Sequence, residues 1–240
     1  MANKVKYKTN KRMNKPVNIV LVHRTGGDFK IADAYLLTSH ILKYWDDEVK
    51  PNIYCYTDSV KKPINVVGLK ILPLPNKEWK GWWAKMNLFA PELKDVRPFL
   101  YLDLDTAVLK SLRDLIPPEE HQTKFVALRD FYQPTKLASG LMWVPNTEVI
   151  NTIYAEWSKN PIASIRKFRG DQNFIASVVS ADVFWQDISK PDFITTFKPN
   201  KKWRVNLPEQ SAVVCFHGTP RIPEAAKTVQ WVKSYLSYEI

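Results

Sequence analysis

The segment PFLYLDLDTAVL (Pro98 to Leu109) constrains the fold more than any other. It is apolar at both alternating positions until Asp103 and Asp105 interrupt it. A strand buried on both faces is what a mostly parallel sheet with helices on either side requires. The segment therefore reads as a central strand emerging at its carboxyl end. Side chains repeat with a period of two along a strand, so the two carboxylates would point the same way and repel one another unless partnered. A divalent cation relieves that repulsion. Hard oxygen ligands suit Mg²⁺ or Mn²⁺, which complete their shells with water and substrate phosphates. In open α/β sheets, ligands bind beyond the carboxyl ends of the strands, where this pair would sit.

The rest of the chain agrees with an α/β reading. VNIVLVH (Val17 to His23) is a buried strand, the loop RTGGDF follows, and Ile31 to about Trp45 has a helical pattern. IYCYTD is a second buried strand, and a helix between two strands implies that they run parallel. VGLKILPLP supplies short extended pieces. Glu78 to Phe89 carries large apolar side chains at helical spacing, closed by Pro91. Further strands are expected at KFVAL, GLMWV and AVVCF, and helices at Thr147 to Trp157, Asp171 to Val179 and Pro223 to Leu236.

With 240 residues and 45% hydrophobic content, the chain has enough material for a real core without disulfides or a structural metal. Cys55 and Cys215 lie in apolar stretches and read as free thiols in a reducing compartment. No run approaches the length of a membrane helix, and the N-terminus lacks the apolar core of a secretory signal, so a cytoplasmic location is expected. The net charge is +11, but six basic residues fall in the first fifteen, leaving +5 for the rest. The organisation expected is a basic tail over 1–15 and one domain over 16–240.

The strand ends offer further chemistry. Asp58, with His23, Arg24 and Thr25, would flank a ligand at the sheet edge if the first two strands end side by side; Asp58 as a turn cap is the plainer role. Asp130 ends another apparent strand. Trp82 and Trp83 have ring faces that suit stacking on another ring, although a tryptophan pair at helical spacing more often belongs to a core, where at least one of them is expected.

FLYLDLDTAVL resembles the Asp-x-Asp strand of nucleotide-sugar glycosyltransferases with the GT-A fold, and most of all the family of glycogenin and the lipopolysaccharide galactosyltransferases. LVHRTGGDF, the strand ending in Asp58, WWAKMNLFAPEL, LASGLMWVP, GDQNFI and CFHGTPRIP resemble that family's successive motifs in order. The resemblance implies a Rossmann-like three-layer sandwich and transfer of a sugar, with retention, from a nucleotide sugar, UDP-linked by expectation. It implies Mn²⁺ or Mg²⁺ held by Asp103, Asp105 and His217, a nucleoside flanked by His23, Arg24, Thr25 and Asp58, and donor contacts from Lys85, Asp103, Leu104, Ser139, Gly218 and Arg221. Asp171, Gln172 and Asp130 would be catalytic: Asp171 and Gln172 near the anomeric carbon or acceptor, Asp130 on donor-sugar hydroxyls, and Asp171 or Asp130 as the carboxylate that stabilises charge at the ring; an Asp after Gly170 is also an ordinary helix cap. Two departures stand out: glycine directly follows His217, and Ala138 replaces a frequent asparagine. The acceptor is open, and the cluster KPNKKWR (Lys198 to Arg204) and the basic tail would favour an anionic one.

Three other readings compete. A nucleotidyltransferase should show a longer glycine-rich phosphate loop than RTGGDF. A metal-dependent nuclease should show further acidic ligands. A carbohydrate-binding module would keep the fold and lose turnover.

Overall fold

The computed structural model describes residues 15–237. All of the basic tail but Lys15 lies outside the described residues.

The chain runs β1 (Asn18–His23), α1 (Ile31–Tyr44), β2 (Asn52–Thr57), β3 (Ile64–Val66), β4 (Leu69–Pro73), β5 (Phe99–Leu102) and β6 (Thr106–Val108). It continues through β7 (Val126–Arg129), β8 (Leu137–Val144), α2 (Glu148–Lys159), α3 (Pro161–Lys167), α4 (Asp171–Val178), β9 (Val183–Phe184) and α5 (Trp185–Ile188). The last elements are β10 (Ile194–Thr196), β11 (Val213–Cys215), α6 (Ile222–Ala225) and α7 (Gln230–Leu236). An eight-stranded sheet has the order β3-β4-β2-β1-β5-β8-β7-β9, and β10-β11-β6 form a second, three-stranded sheet. As expected, β1 pairs parallel with β2, and β5 lies parallel on its other side.

Alternation along the central strands divides the interior into two cores. Ile19, Leu21, Leu100 and Leu102 pack with Leu37 and Ile41 of α1. Val20, Phe99 and Tyr101 face Ile153 and Trp157 of α2 and Phe174 of α4. The sheet thus separates two helical layers. Beneath the small sheet, Phe197, Phe216 and Val232 form a third cluster. Cys55 and Cys215 are free and buried, and burial pushes the Cys55 thiol up to about 12.

Three segments depart from the sequence reading. Pro98 to Leu109 is not one strand: the Asp103 amide still bonds Gly140 of β8, whereas the Asp105 carbonyl accepts from Phe216 beside the small sheet. The chain crosses between sheets within Asp103–Asp105, so both aspartates sit in a turn. Glu78 to Phe89 becomes a 3-10 helix over Gly81–Phe89, and Pro91 opens a second one over Pro91–Val96. All residues from Trp83 to Phe89 are buried, so the first of these elements has no single apolar face. Pro223 to Leu236 divides into α6 and α7, because Val229 is extended and anchored in the third core.

Candidate active site

Four elements converge on a buried ionic cluster at the carboxyl end of β5. Lys85, from the 3-10 helix Gly81–Phe89, lies 3.0 Å from Asp103 Oδ1 and 3.1 Å from Asp171 Oδ2. Its ammonium also donates to Ser139 Oγ of β8 at 3.2 Å, and that hydroxyl donates to Asp171 Oδ2 at 2.7 Å. Tyr101 OH donates to Asp103 Oδ1 at 2.5 Å. Burial alone would lower the Lys85 pKa, but the charges of Asp103 and Asp171 outweigh it and hold the amine above its ordinary range. Lys85 is therefore a fixed cation rather than a solvated helix lysine. Asp171 is 5% exposed, and the cap of α4 is Gly170, so Asp171 faces the cluster instead of closing the helix. Gly140 lies against the same carboxylate: a Cβ there would come within 3.2 Å of Asp103 Oδ2.

The second carboxylate faces the C-terminal segment. Arg221 Nη1 donates to Asp105 Oδ2 at 2.5 Å and Nη2 to Asp28 Oδ2 at 2.8 Å, with the guanidinium 4.8 Å from the Phe29 ring centroid. Burial and the neighbouring Asp103 charge push the Asp105 carboxyl up to about 7, against the opposing charges of Arg221 and Lys85. Two neighbouring carboxylates are the hard oxygen donors that Mg²⁺ or Mn²⁺ takes, so Asp103 and Asp105 fit a divalent ion. His217 has partners of its own. Its Nε2 lies 2.6 Å from Thr196 Oγ1 and its ring stacks on Phe131, with centroids 5.7 Å apart. Burial lowers the pKa of that imidazole. Among the described residues no group of three or more His, Cys, Asp or Glu is gathered as a metal site.

Beside the ends of β1 and β2, Asp58 accepts from the Thr25 amide at 2.8 Å, from the Thr25 hydroxyl and from Arg24. Burial acts to raise the Asp58 pKa, but the Thr25 hydrogen bonds and the Arg24 charge together leave it lowered. His23 is buried, with Nδ1 2.8 Å from Thr57 Oγ1 and Nε2 3.2 Å from the Phe29 carbonyl. Both of its ring nitrogens are engaged inside the protein. Asp130 accepts from the amides of Tyr132 and Gln133, each at 2.8 Å, and its other oxygen accepts from Gln172 Nε2 at 3.1 Å. Asp130 and Gln172 are therefore one unit joined to the start of α4. Leu104 is buried in the core, and Gly218 has φ of +69°, beside the Lys198 ammonium. Lys198 donates to the carbonyls of His217 and Thr219, and Arg204 to that of Thr196, leaving Lys201 and Lys202 as the exposed cations of their cluster.

Tyr101, Asp28 and Thr196 are contributors that the sequence reading passed over. Tyr101 had a signal, since it lies two residues before Asp103 on a strand; the other two are brought in by loops.

No protein-family model matches the sequence, and no curated protein matches it. Solved structures do. An active-site mutant of LgtC superposes with a TM-score of 0.66 at 12% identity, covering 92% of this chain and 94% of that one. LgtC, a galactosyltransferase, has also been solved in complex with donor and acceptor sugar analogs, with a TM-score of 0.61 at 13% identity, 92% of this chain and 94% of that chain being covered. The chain shares their fold. The apo form of the glycosyltransferase GlyE of Streptococcus pneumoniae TIGR4 superposes with a TM-score of 0.62 at 11% identity over 94% of this chain, which spans 61% of that protein. Among the described residues no helix is long and apolar enough to cross a membrane.

Proposed function

We propose that this chain is a glycosyltransferase that moves a sugar from a nucleoside-diphosphate sugar, UDP-linked, to an acceptor with retention, using Mn²⁺ or Mg²⁺. The observation that carries the reading is the buried Lys85–Asp103–Ser139–Asp171 cluster at the end of β5, in a fold shared with galactosyltransferases. A nucleoside diphosphate is a leaving group whose growing negative charge must be met before the anomeric bond breaks. Asp103 and Asp105 would hold the divalent ion, which supplies Lewis-acid neutralisation of that charge when bound.

The chain's own residues do the rest. Arg221 would transfer its guanidinium from Asp105 to the diphosphate, for which its planar fork is suited. Arg24, Thr25 and Asp58 form the wall for the nucleoside. Asp171, fixed by Lys85 and Ser139, would stand beside the sugar ring and stabilise oxocarbenium-like charge. Asp130 and Gln172 would hold sugar hydroxyls. The exposed Lys201 and Lys202 suit an anionic acceptor. The test is calorimetric titration of UDP with Mn²⁺ and again with EDTA, using Asp105→Ala as control. Binding that needs both metal and Asp105 supports the reading. Failure of UDP, GDP and other nucleotides alike removes it.

A further inference from the structure

Two adjacent tryptophans on the 3-10 helix Gly81–Phe89 have opposite fates. Trp83 is buried and stacked on Trp157, with ring centroids 5.2 Å apart. Trp82 is 60% exposed. An indole left in water is unusual, because tryptophan carries the largest apolar surface of any side chain and is highly buried on average. Its place in the helix is informative. A 3-10 helix has three residues per turn, so positions i and i+3 eclipse one another. Trp82 therefore stands one turn before Lys85 on the same edge of the helix, and Lys85 reaches down into the cluster with Asp171.

The backbone leading to Asp171 fixes the ring from the other side. A Cβ at Gly170, the residue preceding Asp171, would lie 3.4 Å from Trp82 Nε1 and 3.6 Å from its Cδ1. The indole thus rests on the glycine backbone, with exposed ring surface at the lip of the cluster. The donor side of the cluster is already furnished, with the nucleoside wall at Arg24 and Asp58 and the diphosphate groups at Asp105 and Arg221. Trp82 lies on the α4 side instead, one helical turn further out than Lys85.

We propose that Trp82 is the stacking platform of an acceptor subsite that takes a pyranose ring by its apolar C–H face and presents it to Asp171. This assignment rests on the glycosyltransferase reading and deepens it by naming the acceptor as a glycoside rather than a protein hydroxyl or nucleic acid. Trp82 is a positioning and specificity-determining residue. Flat aromatic contact selects rings with an uninterrupted apolar face and leaves the donor site untouched.

Wild type, Trp82→Ala and Trp82→Phe, all at an exposed position, are compared in two arms. In the first, UDP is titrated calorimetrically with Mn²⁺, and the three proteins should agree within about twofold. In the second, saturation-transfer NMR reads binding of a panel of methyl hexopyranosides, with and without UDP. Wild type and Trp82→Phe should bind at least one pyranoside, and Trp82→Ala should bind it about tenfold more weakly. Equal binding by wild type and Trp82→Ala, or no pyranoside bound by wild type, overturns the proposal. Loss of UDP binding in Trp82→Ala alone overturns it too, since Trp82 would then serve the donor. UDP failing to bind all three proteins while pyranosides still bind through Trp82 removes the donor reading and leaves the sugar platform standing.

Discussion

Two ionic clusters flank the end of β5, and they are built differently. The inner one joins Lys85 to Asp103 and Asp171, and the Lys85 and Asp171 side chains are 9% and 8% exposed. The outer one joins Arg221 to Asp105 and Asp28, with Arg221 26% and Asp28 66% exposed. In the inner cluster one ammonium balances two carboxylates, of which Asp171 is buried and Asp103 is 29% exposed. In the outer cluster Asp105 is 14% exposed, but water and ligands reach Asp28 and the Arg221 guanidinium, so the partners of that guanidinium are exchangeable. The comparison teaches a division of labour: the inner cluster sets geometry in advance, and on the proposed reading the outer one would answer to the donor.

The largest expected effect tests the inner cluster. Lys85→Met leaves the buried Asp171 and the partly exposed Asp103 carboxylates without their cation, and removing one partner of a buried ion pair costs about 3–5 kcal/mol. Urea denaturation should show that loss, with partial recovery in Lys85→Met/Asp171→Asn; a loss below about 1 kcal/mol would erase the distinction between the clusters. Next comes Asp105→Ala, which should abolish metal-dependent UDP binding in calorimetry while the protein stays folded. Arg221→Ala should cost under about 1 kcal/mol of stability, as part-exposed ion pairs do. It should still weaken UDP by about tenfold or more, the worth of a charge-assisted hydrogen bond. A stability loss equal to that of Lys85→Met would instead make Arg221 structural.

A further effect is in pH. The Asp105 carboxyl is raised to about 7 by burial and by Asp103, so between about pH 4 and 7 the folded state binds a proton that the unfolded state releases. Its contribution to stability is fullest below that window and is lost as pH rises through about 7. In EDTA, thermal unfolding of wild type should show this fall, and Asp105→Asn should flatten it.

Much of this arrangement was legible in the sequence. The uninterrupted apolar runs at Val17 to His23 and Pro98 to Leu102 announce central strands, and two aspartates ending such a run announce a site. The break between β5 and β6 was not legible, because Leu104, Thr106, Ala107 and Val108 are buried, so the buried run resumes at once past each aspartate. Lys85 was singled out only by resemblance, as a donor contact, and its buried pairing was not legible. Its role depends on Asp171, which is 86 positions away along the chain and comes near only when α4 docks beside β8. His217 was singled out by its resemblance to a motif, and its ring partners Thr196 and Phe131 come from distant segments that no local pattern encodes. Trp82 and Trp83 are alike in sequence, and only the phase of a 3-10 helix separates the exposed ring from the buried one.

The most direct test of the central claim is release of UDP from a panel of UDP-sugars, measured with Mn²⁺, with EDTA and in Asp105→Ala, each with and without a mixture of methyl glycosides. The account predicts that at least one UDP-sugar yields UDP faster with metal and glycoside present, and that the rate falls to background in EDTA and in Asp105→Ala. UDP release at background for every sugar in the wild-type protein, or release that EDTA and Asp105→Ala leave unchanged, would contradict it.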